Sequence, residues 1–362
     1  MNEQANARVV LYVGTYTQKG SAGIYIFDFD PLTGETELLG TAQTPNPSFL
    51  SIHPSKKYLY AVNELTEFEG APGGAVSAFA IDPHTGLLTL INQQPSHGTY
   101  PCHVTVSPDG AYVFVANYGS GSAAVYPVRE DGGLAPASDI VQHEGSGPNP
   151  RRQAGPHAHS VTLDPVGRRA YIADLGIDRL MIYDIASEPG KLRPNTPPYV
   201  AVAGGSGPRH MAFHPSGRFA YLINEMGNTI IAFAYDSQTG GFQALQTVPT
   251  LPEGYEGPNT TADIHILPAG DFLYGSNRGH DSLAVYAIDQ ATGKLNPVGH
   301  VASGGHTPRN FAIAPVGSYL LAANQDSDNV VFFKVDPRSG MPQPTGQELE
   351  VSMPVCVKFM VR

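Results

Sequence analysis

One phrase recurs along this chain. GPRHMAFHPSGRFAYLINE, from Gly207 to Glu225, is matched by PCHVTVSPDGAYVFVANY at Pro101 to Tyr118 and by TPRNFAIAPVGSYLLAANQ at Thr307 to Gln325. A short repeat cannot bury its own apolar face and must stack on its neighbours, so the chain is confined to repeat architectures. The turn proline gives the phase. Pro54, Pro108, Pro165, Pro215, Pro268 and Pro315 are each followed nine residues later by a polar stop: Asn63, Asn117, Asp174, Asn224, Asn277 and Asn324. A second marker, a tight glycine turn, occurs as DPLTG, DPHTG, EDGG, SEPG, DSQTG, DQATG and DPRSG, which makes seven units.

The seventh copy of the phrase is divided between the chain ends. PVCVKFMVR at Pro354 to Arg362 supplies its first strand and VVLYVGTY at Val9 to Tyr16 its second, so the termini close a ring. Each unit reads as four strands, as in SFLSIHP, YLYAVNE, VSAFAID and LLTLINQ, with period-two apolar spacing between turns. The expectation is an all-β, seven-bladed β-propeller of four-stranded antiparallel blades, forming a single domain over residues 1–362. Radial closure also removes the open edges that an isolated four-stranded sheet would expose. The 40 glycines and 32 prolines suit a chain of many short strands. The insertions Leu65–Gly73 and His143–Gly155 read as loops on that frame.

A net charge of -11 argues against nucleic acid or an anionic membrane as partner, since both select basic surfaces. No charged start with an apolar run and no long apolar segment is present, so the expectation is a cytoplasmic protein, a monomer or homodimer. Cys102 and Cys356 are the only cysteines. Their separation suggests two buried reduced thiols and neither a disulfide framework nor a thiolate zinc site.

Comparing the seven copies separates frame from function within one chain. Four and two residues before the anchor proline every occupant is apolar, from Leu50 and Ile52 to Phe311 and Ile313, and such positions pack blade on blade. The Asn/Asp stops read as turn caps, and His53 and His214 as structural. Six before the anchor the residues are Ser48, Cys102, His159, Arg209, Ala262, Arg309 and Val355; just after the stop they are Tyr16, Glu64, Tyr118, Leu175, Glu225, Arg278 and Gln325. In an antiparallel pair both places lie at the same end, and the first strand borders the channel. The two variable sets are therefore expected to ring one mouth of it.

That mouth would carry His159, Arg209, Glu225, Arg278 and Arg309. Converging guanidiniums in an acidic protein point to an anionic ligand, because arginine grips phosphate or carboxylate with two prongs. The alternative is that each pairs with a nearby acid such as Glu225 or Asp263. His159 has a side chain suited to general acid–base work; Glu225 could orient it, act as base, or neutralise Arg209. Further substrate contacts are expected from Gln325 and, one position along the first strand, from His103, His210, Asp263 and Asn310. His157 and His159 raise a metal question, but no third ligand presents itself, and no phosphate-binding glycine loop is present. No metal and no cofactor are expected.

The motifs LYVGTYT, GPRHMAFHPSGRFAYLINE and ADIHILPAGDFLY, with the Asn277–Arg278 pair, resemble the lactonase family of seven-bladed propellers, across essentially the whole chain. That family contains the propeller-type 6-phosphogluconolactonases and the fungal carboxy-muconate cyclases. The resemblance implies a metal-independent site in which His159, Arg209, Glu225 and Arg278 match the residues proposed as catalytic, with Arg309 at the same rim. It leaves open whether a lactone is opened or closed. The leading expectation is hydrolysis of 6-phospho-glucono-1,5-lactone, a small anionic lactone. The rivals are a muconate-type cycloisomerase or other sugar lactonase, and a non-catalytic propeller that binds proteins.

Overall fold

The computed structural model describes residues 8–186, 190–315 and 318–362. Residues 1–7, all of the SEPG turn but Gly190, and Val316 and Gly317 of the third phrase lie outside that set. Seven four-stranded antiparallel sheets form the blades, and no α-helix occurs among the described residues. The innermost strands are Leu50–Ile52, Pro101–Val106, Ala158–Leu163, Pro208–Phe213, Thr260–Ile266, Pro308–Ile313 and Pro354–Val361. Each touches the next, so together they wall a central channel. The ring closes as expected: Val9–Thr15 pairs with Pro354–Val361, from Val9 opposite Val361 to Thr15 opposite Pro354.

The two sequence markers turn out to be halves of one blade-to-blade lock. Six residues past the anchor proline, the Tyr60 hydroxyl donates to the carbonyl of Gly132 in the next blade's glycine turn at 2.9 Å. Tyr171 repeats this on Gly240, Tyr221 on Gly293, Tyr274 on Gly340, and Tyr12, across the closure, on Gly86. The glycines are required there. Gly132 has φ +80°, and a Cβ on it would lie 2.2 Å from the Tyr58 ring, which no side chain tolerates. His53 and His214 are structural in the same way, their Nε2 atoms meeting the carbonyls of Gly110 and Gly270 at 3.0 and 2.9 Å.

The polar stops are fully buried caps. The amide of Asn117 donates to the Ser96 carbonyl and that of Asn277 to the Thr250 carbonyl, tying each blade to the end of the one before it. Buried backbone acceptors left unmade are costly, which accounts for the stop's near invariance among the copies. One insertion departs from expectation. Within Leu65–Gly73, Glu67–Phe68 and Ala71–Pro72 pair as a short ribbon.

Candidate active site

A repeated irregularity sets the site. In blades two to seven, counted from the Pro54 blade, the inner strand carries one extra residue that finds no partner opposite it: the register jumps from Pro101 to His103, Ala158 to Ser160, Pro208 to His210 and Pro308 to Asn310, with equivalent slips at Thr261/Ile264 and around Val355. The unpaired residue is the one six before the anchor proline. A bulge re-aims its side chain off the regular pleat. Cys102, His159 and Arg309 are thereby turned into the channel, with Arg209 buried against it.

The strand ends supply the rest. Glu225 follows the stop Asn224, its backbone N–H donating to Gly207 at 2.7 Å and its carbonyl accepting from Thr261 at 3.0 Å. Arg278 follows Asn277 and donates to the Thr261 carbonyl at 2.7 Å. Together with Glu64, Tyr118, Arg152 and Thr260 these side chains line a cavity of about 300 Å³ at one mouth.

Glu225 is the hub. Its Oε2 accepts from Arg209 Nε at 3.1 Å and from Arg278 at 2.9 Å, and its Oε1 from Arg152 at 2.6 Å. His159 Nε2 stands 3.6 Å from Oε2. Arg309 has no carboxylate within ion-pair distance among the described residues; it lies over the Tyr16 ring, whose hydroxyl donates to Glu64 at 2.9 Å. The arginine–acid pairing weighed from the sequence therefore holds for Arg209 and Arg278, through one shared carboxylate, and not for Arg309. Four guanidiniums face two carboxylates, Glu64 and Glu225, leaving two positive charges in excess.

Burial and charge fix the protonation states. Burial alone would raise Glu225, but Arg278, Arg209 and Arg152 together hold it well below the usual carboxylate range. Burial, reinforced by Arg209, pushes His159 well below the ordinary histidine value, so its imidazole is neutral at pH 7. Arg278 is pushed down to about 10, by burial first, and stays charged. Burial raises the Cys102 thiol, which is no thiolate. The arrangement therefore offers a neutral proton acceptor beside a permanent anion, under an excess of cationic donors.

Not every expected residue reaches this cavity. His103, His210 and Asp263 line a second chamber of about 190 Å³ further along the channel, with His265 and Lys358. There Asp263 accepts from His210 Nδ1 at 2.7 Å, His265 Nε2 at 2.9 Å and the Asn310 amide. The cause is geometric: the residue after the bulge resumes the pleat and points along the channel below its neighbour. The chambers are linked, since His210 Nε2 lies 3.4 Å from Arg209 Nη1 and its ring meets that of His159 edge-on with centroids 5.5 Å apart. Gln325 is turned to Asp326 and is absent from the lining. His157 stacks on Tyr118 and bonds its carbonyl at 2.8 Å, and no metal-holding group of three His, Cys, Asp or Glu occurs among the described residues.

Arg152 was invisible to the repeat comparison, because it sits in the insertion His143–Gly155 and has no counterpart in other blades. Its composition was the available signal: Arg151 and Arg152 form an adjacent arginine pair in an insertion rich in glycine and proline. Tyr118 and Glu64 did stand in the variable set after the stop.

A model of the family described as "Lactonase, 7-bladed beta-propeller" matches residues 10–359. A Bacillus subtilis protein named 6-phosphogluconolactonase is 37% identical over 96% of this chain and 97% of its own length. A Formosa agariphila protein of the same name is 35% identical over 83% and 84%. The structure of the Pseudomonas aeruginosa periplasmic gluconolactonase superposes with a TM-score of 0.92 at 38% identity, covering 97% of this chain and 99% of that one. A family model spanning nearly the whole chain, with relatives above 30% identity along most of its length, identifies this protein as a member of the lactonase family of seven-bladed β-propellers.

Proposed function

We propose that this protein hydrolyses 6-phospho-glucono-1,5-lactone to 6-phosphogluconate. The observation that carries the reading is the union, in one cavity of about 300 Å³, of a neutral buried imidazole, an ionised carboxylate and a surplus of arginines. A phosphomonoester bears a charge of about -1.5 to -2 at pH 7, which the surplus of two positive charges complements. Two relatives named 6-phosphogluconolactonase support the choice of lactone.

In this reading His159 takes a proton from water as the water oxygen bonds to the lactone carbonyl carbon. Glu225, 3.6 Å away, stabilises the imidazolium so formed. Arg309, with no carboxylate to serve among the described residues, donates to the developing oxyanion. Collapse of the tetrahedral intermediate breaks the bond to the ring oxygen, which takes the proton back from His159. One water is consumed and one carboxylic acid is formed. Arg209 and Arg278 hold Glu225 in place, and Asp263 through His210 orients Arg209, so these two act as positioning groups. All of these residues belong to one copy of the chain, and we read the ring as one domain.

A second reading, an unphosphorylated gluconolactone as substrate, is favoured by the 38% identical Pseudomonas relative named a periplasmic gluconolactonase. Release of acid from both lactones, followed above the spontaneous rate, decides between them. A kcat/KM at least tenfold higher for the phosphorylated lactone is expected; equal values would move the assignment to the second reading, and no acceleration of either would end it. Among the described residues no helix is long and apolar enough to cross a membrane. We take the cytoplasm as the compartment, on the two separate free thiols, and cell fractionation tests this against the periplasmic precedent.

A further inference from the structure

The four arginines of the cavity are not held alike. Arg209 is buried and spends its donors on Glu225, the Ala262 carbonyl and His210. Arg278 is tied to Thr261 and Glu225. Arg309 sits on the bulge of an inner strand, over Tyr16. Arg152 differs from all three. It comes from outside the blades, its side chain is 39% exposed, and of its side-chain donors only Nη2 makes hydrogen bonds among the described residues, to Glu225 at 2.6 Å and to the Tyr118 hydroxyl at 3.3 Å.

The backbone beneath it is fixed. Asn149 caps the turn, its Oδ1 accepting from the N–H groups of Arg151 and Arg152 at 3.0 and 3.2 Å. Gln153 donates from its backbone to the Asn149 carbonyl at 2.7 Å and from its side chain to the Leu175 carbonyl at 2.9 Å. A Cβ on Gly147 would lie 2.5 Å from the Gln153 side chain, so that loop and glutamine are fitted to each other. Only the long, partly solvated side chain of Arg152 is therefore free to swing. The side chain is already 39% exposed, and its guanidinium has an unused edge with which to meet a second anion.

Resting on the lactonase reading above, we propose that Arg152 is the residue that selects phosphorylated lactones, by exchanging Glu225 for the substrate's phosphoryl group. Arg209 and Arg278 cannot do this without breaking ion pairs whose partners are both largely buried, which is the costly way to break a pair. Arg152 leaves from the solvent side, where its pairing is screened, and gains a two-pronged contact with a more highly charged partner. Glu225 keeps its two buried arginines and its charge. The phosphoryl group is carried on the flexible C6 arm of the lactone, so a mobile cation at the rim can meet it while the ring carbonyl faces the fixed groups deeper in.

The test is the selectivity of Arg152→Met, which keeps the stem's packing and removes the charge, with Arg152→Lys beside it. Loss of a charge-assisted contact corresponds to roughly a ten- to hundredfold change in kcat/KM. The ratio of kcat/KM for 6-phosphogluconolactone over gluconolactone is expected to fall by at least tenfold in Arg152→Met and by less in Arg152→Lys, with thermal unfolding showing both variants folded. A ratio within threefold of wild type, whether both substrates suffer together or neither does, overturns the assignment. Failure of the lactonase reading would look different, because the wild-type protein itself would then accelerate neither lactone.

Discussion

Replacing Glu225 with glutamine probes the centre of the site most directly. The carboxylate serves Arg209 at 3.1 Å, Arg278 at 2.9 Å and Arg152 at 2.6 Å. Glutamine keeps the shape but loses the charge, and its amide nitrogen must point at a guanidinium that also only donates. Removing one partner of a buried ion pair costs about 3–5 kcal/mol. Arg152 is 39% exposed, so its share is screened, and the expected loss lies near the lower end, about 3 kcal/mol. For a chain of 362 residues that corresponds to a fall of roughly 4 °C in Tm. Turnover should fall at least about a hundredfold, since the imidazolium loses its counter-ion and the arginines their alignment. The pH dependence gives an independent check. Glu225 is held below its ordinary value of 4.5, so its stabilising contribution is complete above about pH 4.5 and is lost as pH falls through the folded value. The Tm gap between wild type and variant should be full at pH 7 and narrow below about pH 4.5. A Tm within 1 °C of wild type at pH 7, together with turnover within threefold, would refute the hub assigned to this carboxylate.

Three further outcomes follow from other parts of the molecule. Because His159 is held well below 6.5, kcat/KM should stay level as pH drops through the ordinary histidine range and decline only below it, and His159→Gln should abolish that acid limb; a limb centred above 6.5 would contradict the neutral-base role. Iodoacetamide at neutral pH should leave activity intact, since Cys102 is buried with its thiol pKa raised, whereas rapid inactivation with label on Cys102 would show a reactive thiolate. Tyr221→Phe removes the hydroxyl that meets the Gly293 carbonyl at 2.9 Å and should cost about 1–2 kcal/mol in chemical denaturation with turnover preserved. A variant as stable as wild type would dismiss the inter-blade lock.

Much of this architecture is written in one dimension because propeller blades are copies. The nine-residue spacing from Pro54 to Asn63 and its repeats fixes a turn and a strand pair locally, and seven such units whose ends complete each other leave little choice but a ring. The same redundancy exposed His159, Arg209, Glu225, Arg278 and Arg309 as departures from the common pattern, on positions the frame leaves unconstrained. The sequence thus settled the fold and nominated the side chains.

Direction and company were decided only in three dimensions. An extra residue in an inner strand changes where two consecutive side chains point, so Arg209 meets Glu225 while its neighbour His210 turns to Asp263 in the lower chamber; regular alternation would send the two to opposite faces of the sheet instead of along one channel. Gln325 occupies the position equivalent to Glu225 and Arg278 yet turns to Asp326 instead of facing the cavity. Arg152 reaches Glu225 across 73 residues of chain from a loop without counterpart. Repetition reports what every blade must share, through local turn chemistry and packing, but a bulge's tilt and a loop's reach depend on contacts between distant segments, which exist only once the ring has closed.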